Sequence, residues 1–86
     1  MEIILSPQAQ SDIIYWKSSG QRLVLKRIEV LLLSIQQDAF KGIGKPEILK
    51  YQLVGHWSRR TNAQHRIIYE IKSNAVHILS LRGHYL

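Results

Sequence analysis

The stretch Gln64-His65-Arg66-Ile67-Ile68-Tyr69-Glu70-Ile71, then Lys72-Ser73-Asn74, then Ala75-Val76-His77-Ile78-Leu79-Ser80-Leu81-Arg82 decides the fold. Its first part alternates. His65, Ile67, Tyr69 and Ile71 fall on one face, and Arg66, Ile68 and Glu70 on the other, which is the two-residue period of a strand. The last part alternates too, with Val76, Ile78, Ser80 and Arg82 set against His77, Leu79 and Leu81. Ser73-Asn74 supplies turn chemistry between them, and so short a connection demands antiparallel pairing. Asn62-Ala63 provides a second such turn. Residues 52–60, with Leu53, Val54, Trp57 and Arg59-Arg60, therefore read as a third strand of one meander.

The first half of the chain reads differently. Residues 2–5 form a short apolar strand. Ser6-Pro7 then starts a helix, because the serine caps free N–H groups and proline suits the first helical position. That helix spans about 7–18 with Ile13 and Trp16 on one stripe, and Ser18-Ser19-Gly20 ends it. A second helix spans about 21–37. Val24, Ile28, Leu31, Leu32 and Ile35 recur at helical spacing, while Arg22, Lys26, Glu29 and Gln36 fall largely elsewhere. Residues 38–50 hold two glycines, a proline and three lysines, the mark of an exposed connection, with one short helical turn expected after Pro46. The whole is an α+β domain of order β-α-α-β-β-β, in which two helices cover one face of a small antiparallel sheet.

The 86 residues suffice for one domain and a small core, so residues 1–86 are read as a single unit. There is no cysteine, which excludes a disulfide scaffold, a thiol nucleophile and thiolate zinc sites and suits the cytoplasm. The opening Met1-Glu2-Ile3-Ile4-Leu5 lacks the pattern of a secretory signal, and apolar runs such as Val30 to Leu33 are far too short for a bilayer. No membrane partner is expected. The net charge is +6, and residues 41–86 carry all of the excess, with eight Lys and Arg against Glu47 and Glu70. A basic face of this kind attracts polyanions.

The ending, Arg82-Gly83-His84-Tyr85-Leu86, places an imidazole and a phenol side by side after a strand. Termini are ordinarily frayed and chemically bland, so a docked, working tail is indicated. In a meander, Arg59 or Arg60, Arg66 and Arg82 converge near that tail, and the loop carrying Glu47 closes over the same area. One carboxylate, one imidazole, one phenol and several guanidinium groups are the parts of metal-free RNA cleavage, with neither an acidic pair for Mg²⁺ nor a histidine cluster. Glu47 fits the base that takes the 2′-hydroxyl proton, Arg66 fits the clamp on the phosphorane-like charge, and His84 or Tyr85 fits the acid that protonates the 5′-oxygen. His56 and His77 receive no role, and His65 points away from Arg66.

The segments Gly44-Lys45-Pro46-Glu47-Ile48-Leu49-Lys50, Leu53-Val54-Gly55-His56-Trp57-Ser58-Arg59-Arg60, His65-Arg66-Ile67-Ile68-Tyr69 and Arg82-Gly83-His84-Tyr85, together with Tyr15-Trp16, resemble the YoeB (Txe/YoeB) toxins of the RelE superfamily. The likeness covers nearly the whole chain. It implies a microbial-RNase-like fold, a toxin of a type II toxin–antitoxin system, and a metal- and cofactor-independent endoribonuclease that cuts mRNA in the ribosomal A site. It further implies a YefM-type antitoxin and operator DNA met only through the antitoxin complex; a homodimer is also allowed. By motif, Glu47 matches the general base, Arg66 the transition-state stabiliser, and His84 and Tyr85 the terminal pair. Lys45, Lys50, Arg59, Arg60 and Arg82 are the expected contacts to mRNA or ribosomal RNA. Two rival functions also suit the scaffold: a ParE-like toxin acting on a protein target such as gyrase, and a plain nucleic-acid-binding module. The chain departs from the family in two places. Gly83 stands where an aromatic is frequent, and Leu86 follows the tyrosine at which the family commonly stops.

Overall fold

A computed structural model describes residues 1–50 and 54–84, the last of these by its backbone. Expectations placed on Tyr51, Gln52 and Leu53, on the His84 side chain, and on Tyr85 and Leu86 lie outside the described residues. The elements are β1 (Glu2–Leu5), α1 (Pro7–Ser18), α2 (Arg22–Gln37), β2 (Glu47–Ile48), β3 (Trp57–Arg60), β4 (His65–Lys72) and β5 (Ala75–His84). No helix among the described residues is long and apolar enough to cross a membrane.

Local signals explain most boundaries. Ser6 Oγ accepts a hydrogen bond from the Ala9 N–H at 3.0 Å, and Pro7 opens α1. The same hydroxyl donates to the Leu79 carbonyl at 2.9 Å, so the cap also ties α1 to β5. Ser73 and Asn74 both have left-handed φ values, 52° and 59°. That pair of positive φ angles is the mark of a two-residue hairpin turn whose twist matches the strands it joins.

The sheet order is β1-β5-β4-β3-β2. β2, β3, β4 and β5 pair antiparallel in sequence, as the short turns require. β1 joins β5 in parallel, from Glu2 opposite Ala75 to Leu5 opposite Ile78, so the sheet is mixed. The two helices between β1 and the meander supply the crossover that a parallel neighbour needs. Trp16, Ile28, Leu31 and Ile35 from the helices pack on Ile67, Tyr69, Val76, Ile78 and Leu81 from the sheet. Each such side chain contributes about 1.5–3 kcal/mol when fully buried.

Three local expectations are corrected. After Pro46 the chain forms a two-residue strand, not a helical turn, because Glu47 and Ile48 pair with Ser58 and Trp57. The first strand of the meander begins at Trp57; Val54 and Gly55 form a turn, with Gly55 at φ 91°. Leu81 is fully buried with Val76 and Ile78 and does not share a face with His77. The cause is a break in register: Tyr69 faces Ile78, Ile68 faces Ser80, and Arg66 faces Gly83. β5 has more residues than β4 along this span, and each extra residue reverses the alternation that follows it.

Candidate active site

β3 shows how alternation sorts the basic residues. Trp57 and Arg59 point to the helix side, Ser58 and Arg60 to the other. Across the sheet Ser58 is opposite both Glu47 on β2 and Ile68 on β4, and Arg60 is opposite Arg66. Directly paired residues share a face, so Glu47, Ser58, Arg60 and Arg66 stand together on the face away from the helices. Arg66 reaches diagonally to Ser58, and its Nη1 donates to Ser58 Oγ at 3.0 Å. Ser58 is buried and Arg66 only 5% exposed, whereas Glu47 and Arg60 are open to solvent. Glu47 and Arg66 lie two strands apart and two residues out of step, which puts their backbones about 12 Å from each other.

Lys45 and Lys50 flank β2 and are exposed. Lys45 has a left-handed φ of 51° directly after Gly44 at 83°. A non-glycine residue held there stores local strain, and here it lies two residues before Glu47. His84 pairs by its backbone with His65, so β5 ends beside the start of β4. Gly83 has an evident packing reason. A Cβ on it would lie 2.8 Å from Ile68 Cδ1 and 3.2 Å from the Arg66 carbonyl oxygen; Ile68 fills the space that a larger residue there would take.

Two of the expected RNA contacts are engaged by other parts of the protein. Arg59 is fully buried. Its Nε donates to Tyr69 Oη, Nη1 to Ser34 Oγ and the Ile43 carbonyl, and Nη2 to the carbonyls of Asp38 and Lys41. All five N–H donors of a guanidinium are thus used inside the protein, and Arg59 is corrected from a phosphate contact to an internal one. Arg82 lies against α1, its guanidinium carbon 3.5 Å from the centre of the Tyr15 ring, a cation–π contact. His65 stacks edge-on to Trp16 at 5.0 Å on the helix side.

Several side chains that shape the site carried no signal of their own. Ser58 pins Arg66. Tyr69 donates to the Ala39 carbonyl at 2.7 Å while accepting from Arg59 at 3.1 Å. Burial pushes the Tyr69 phenol above its ordinary pKa, against the opposing pull of the Arg59 hydrogen bond and charge. Asp12, buried on α1, accepts from the Leu81 N–H at 2.9 Å, and Trp16 one turn later donates to the Leu81 carbonyl at 3.1 Å. The helix thereby holds both polar groups of Leu81 just before the tail.

A family model for YoeB-like toxins of bacterial type II toxin–antitoxin systems matches residues 5–85. The chain belongs to that family. It is 42% identical over 85 residues to the toxin YoeB of Synechocystis sp., covering 99% of this chain and 98% of that one. The YoeB dimer of Staphylococcus aureus superposes with a TM-score of 0.87 at 42% identity, covering 99% and 98% of the two chains. YoeB in the heterotetrameric YoeB–YefM complex of the same organism gives 0.85 at the same identity and coverage. The YoeB-like architecture, two helices on a five-stranded mixed sheet, is the one described above.

Proposed function

We propose that this YoeB-like toxin is a ribosome-dependent mRNA endoribonuclease that acts in the cytoplasm and stops translation. The observation that carries the reading is the grouping of Glu47 and Arg66 about Ser58 on one basic face. The Glu47 carboxylate takes the proton of the 2′-hydroxyl, and that oxygen attacks the adjacent phosphorus. The Arg66 guanidinium, held by Ser58 before substrate arrives, balances the added negative charge of the transition state. His84 or Tyr85 protonates the departing 5′-oxygen. The products are a 2′,3′-cyclic phosphate and a 5′-hydroxyl, and no cofactor takes part. Lys45, Lys50 and Arg60 contact phosphates of the message or of ribosomal RNA in the A site. A YefM-type antitoxin, like the partner in the S. aureus complex, neutralises the toxin by covering this face, and operator DNA is met only through that complex.

The test is cleavage of message on programmed ribosomes by the purified chain, with the termini of the fragments mapped. Positioned proton transfer contributes about 10²–10⁴-fold, and the clamp a similar factor. The Glu47→Ala, Arg66→Ala double variant is therefore expected to leave the message intact. Cleavage at the wild-type rate by that variant would falsify the reading, and inhibition of DNA supercoiling by the wild type would favour a gyrase-type target.

A further inference from the structure

A general base works only if it is held, and Glu47 follows an irregular connection, residues 38–46, that contains two glycines. We propose that Arg59 is a positioning residue for this site: its buried guanidinium is the template around which that connection folds, and so fixes where Glu47 stands. This rests on the reading of Glu47 as the base of a ribonuclease.

The connection turns its carbonyl groups inward. Those of Asp38, Lys41 and Ile43 accept from Arg59, and that of Ala39 accepts from Tyr69, itself an acceptor for Arg59. The next carbonyl, of Gly44, accepts from the Arg60 N–H. The close approach is possible only because side chains are missing. A Cβ on Gly42 would lie 2.8 Å from Arg59 Nη1 and 2.5 Å from Ser34 Oγ, and one on Gly44 would lie 2.6 Å from Leu31 Cδ2. Both glycines also have φ angles that other residues rarely adopt, 131° and 83°. No carboxylate is among the five acceptors. Asp38 gives the guanidinium its carbonyl, while its carboxylate accepts from the Phe40 N–H. The buried cation is thus offset by backbone dipoles of this connection, and opening the connection would leave the charge uncompensated.

The link from this template to the base is short and stiff. Lys45 is in the left-handed region, Pro46 has a fixed φ, and Glu47 is already paired with Ser58, the residue next to Arg59 in sequence. Arg59 and Ser58 therefore hold the two catalytic groups from opposite sides of one strand. Lysine cannot replace this arginine, since three donors on a single nitrogen do not match five acceptors spread around a plane.

The test uses the full chain with Arg59→Lys, Tyr69→Phe, Glu47→Gln and the Arg59→Lys, Glu47→Gln pair. Single-turnover cleavage of ribosome-bound message is read together with amide exchange of residues 39–48. For Arg59→Lys, kcat is expected to fall about 10–100-fold with KM within threefold, and exchange in the segment to rise at least about tenfold. In the Glu47→Gln background the same change is expected to cost less than about threefold, because the base it positions is already gone. Tyr69→Phe gives a smaller shift of the same sign in both readouts and carries the test if Arg59→Lys does not fold. Three results overturn the proposal: unaltered exchange, an equal loss in both backgrounds, or a raised KM with the salt dependence of binding reduced by about one, the signature of a phosphate contact. If the wild type leaves the message uncut, the ribonuclease reading fails by itself, and the exchange data still decide whether Arg59 holds this segment.

Discussion

Replacing Asp12 by alanine tests how α1 controls the end of β5. Asp12 Oδ2 accepts from the buried Leu81 N–H at 2.9 Å and from Ser80 Oγ at 3.4 Å, and Oδ1 accepts from Gln8 Nε2 at 2.8 Å. The three bonds are unequal. Gln8 is exposed and returns to water at little cost. The Ser80 bond is long and its hydroxyl can turn. The Leu81 N–H has no such recourse, and a buried donor left without an acceptor costs about 1–3 kcal/mol, toward the upper end because a carboxylate is lost. Alanine returns roughly 0.5 kcal/mol as the better helix former. The net loss is about 2 kcal/mol, which for a domain of this size lowers Tm by about 8–16 °C. Asparagine retains a carbonyl oxygen for Leu81 and is expected to lose only about 1 kcal/mol. Urea unfolding followed by tryptophan fluorescence, from the buried Trp16 and the half-buried Trp57, measures both. A loss below 0.5 kcal/mol for Asp12→Ala, or equal losses for the two variants, would refute the assignment of that carboxylate to Leu81.

Two further outcomes follow from single positions. Burial raises the Tyr69 pKa above its ordinary value near 10, so the folded chain keeps a proton there that the unfolded chain loses. Stability is then unaffected by Tyr69 below about pH 10 and falls as pH rises through the interval between the two pKa values; the Tyr69→Phe variant should lack that part of the alkaline slope in denaturation curves taken from pH 8 to 11. Gly44→Ala has to adopt φ 83° and push Leu31 Cδ2 from 2.6 Å and the Arg60 carbonyl from 3.2 Å, a cost of about 2–4 kcal/mol. Gly20→Ala, at φ 72° with nothing within 4 Å, should cost only about 1–2 kcal/mol in the same thermal melts, and parity between the two would show that crowding at Gly44 is relieved elsewhere.

The parts of the fold legible in the sequence are those with a local cause. Ser6-Pro7 marks α1, the spacing of Ile28, Leu31 and Ile35 marks α2, and the alternation about Ser73-Asn74 marks the last hairpin. Parallel pairing of β1 with β5 has no local signature, because its partners lie more than seventy residues apart. The strand at Glu47 is too short to alternate and exists only through Ser58 and Trp57. Leu81 changes faces because of a mismatch in residue number between two strands, which neither strand shows alone. That Glu47 and Arg66 share a face follows from their pairing through β3, to Ser58 and to Arg60. Arg59 was misread because a charged residue is by default a surface residue. Its acceptors are backbone carbonyls, which any sequence supplies, and its place beside Trp57 in the alternation of β3 was the one available clue.

The position of β5, between β1 and β4, governs when this protein can acquire its structure. β5 separates β1 from β4, and α1 spends Asp12 and Trp16 on Leu81. Until residues 75–84 have been synthesised, β1 has no neighbour and α1 has nothing to clamp. The closing contacts join the two ends of the chain, the slowest kind to form. Pairing of β1 and docking of α1 on the sheet therefore wait for residues 75–84, and the sheet is completed late.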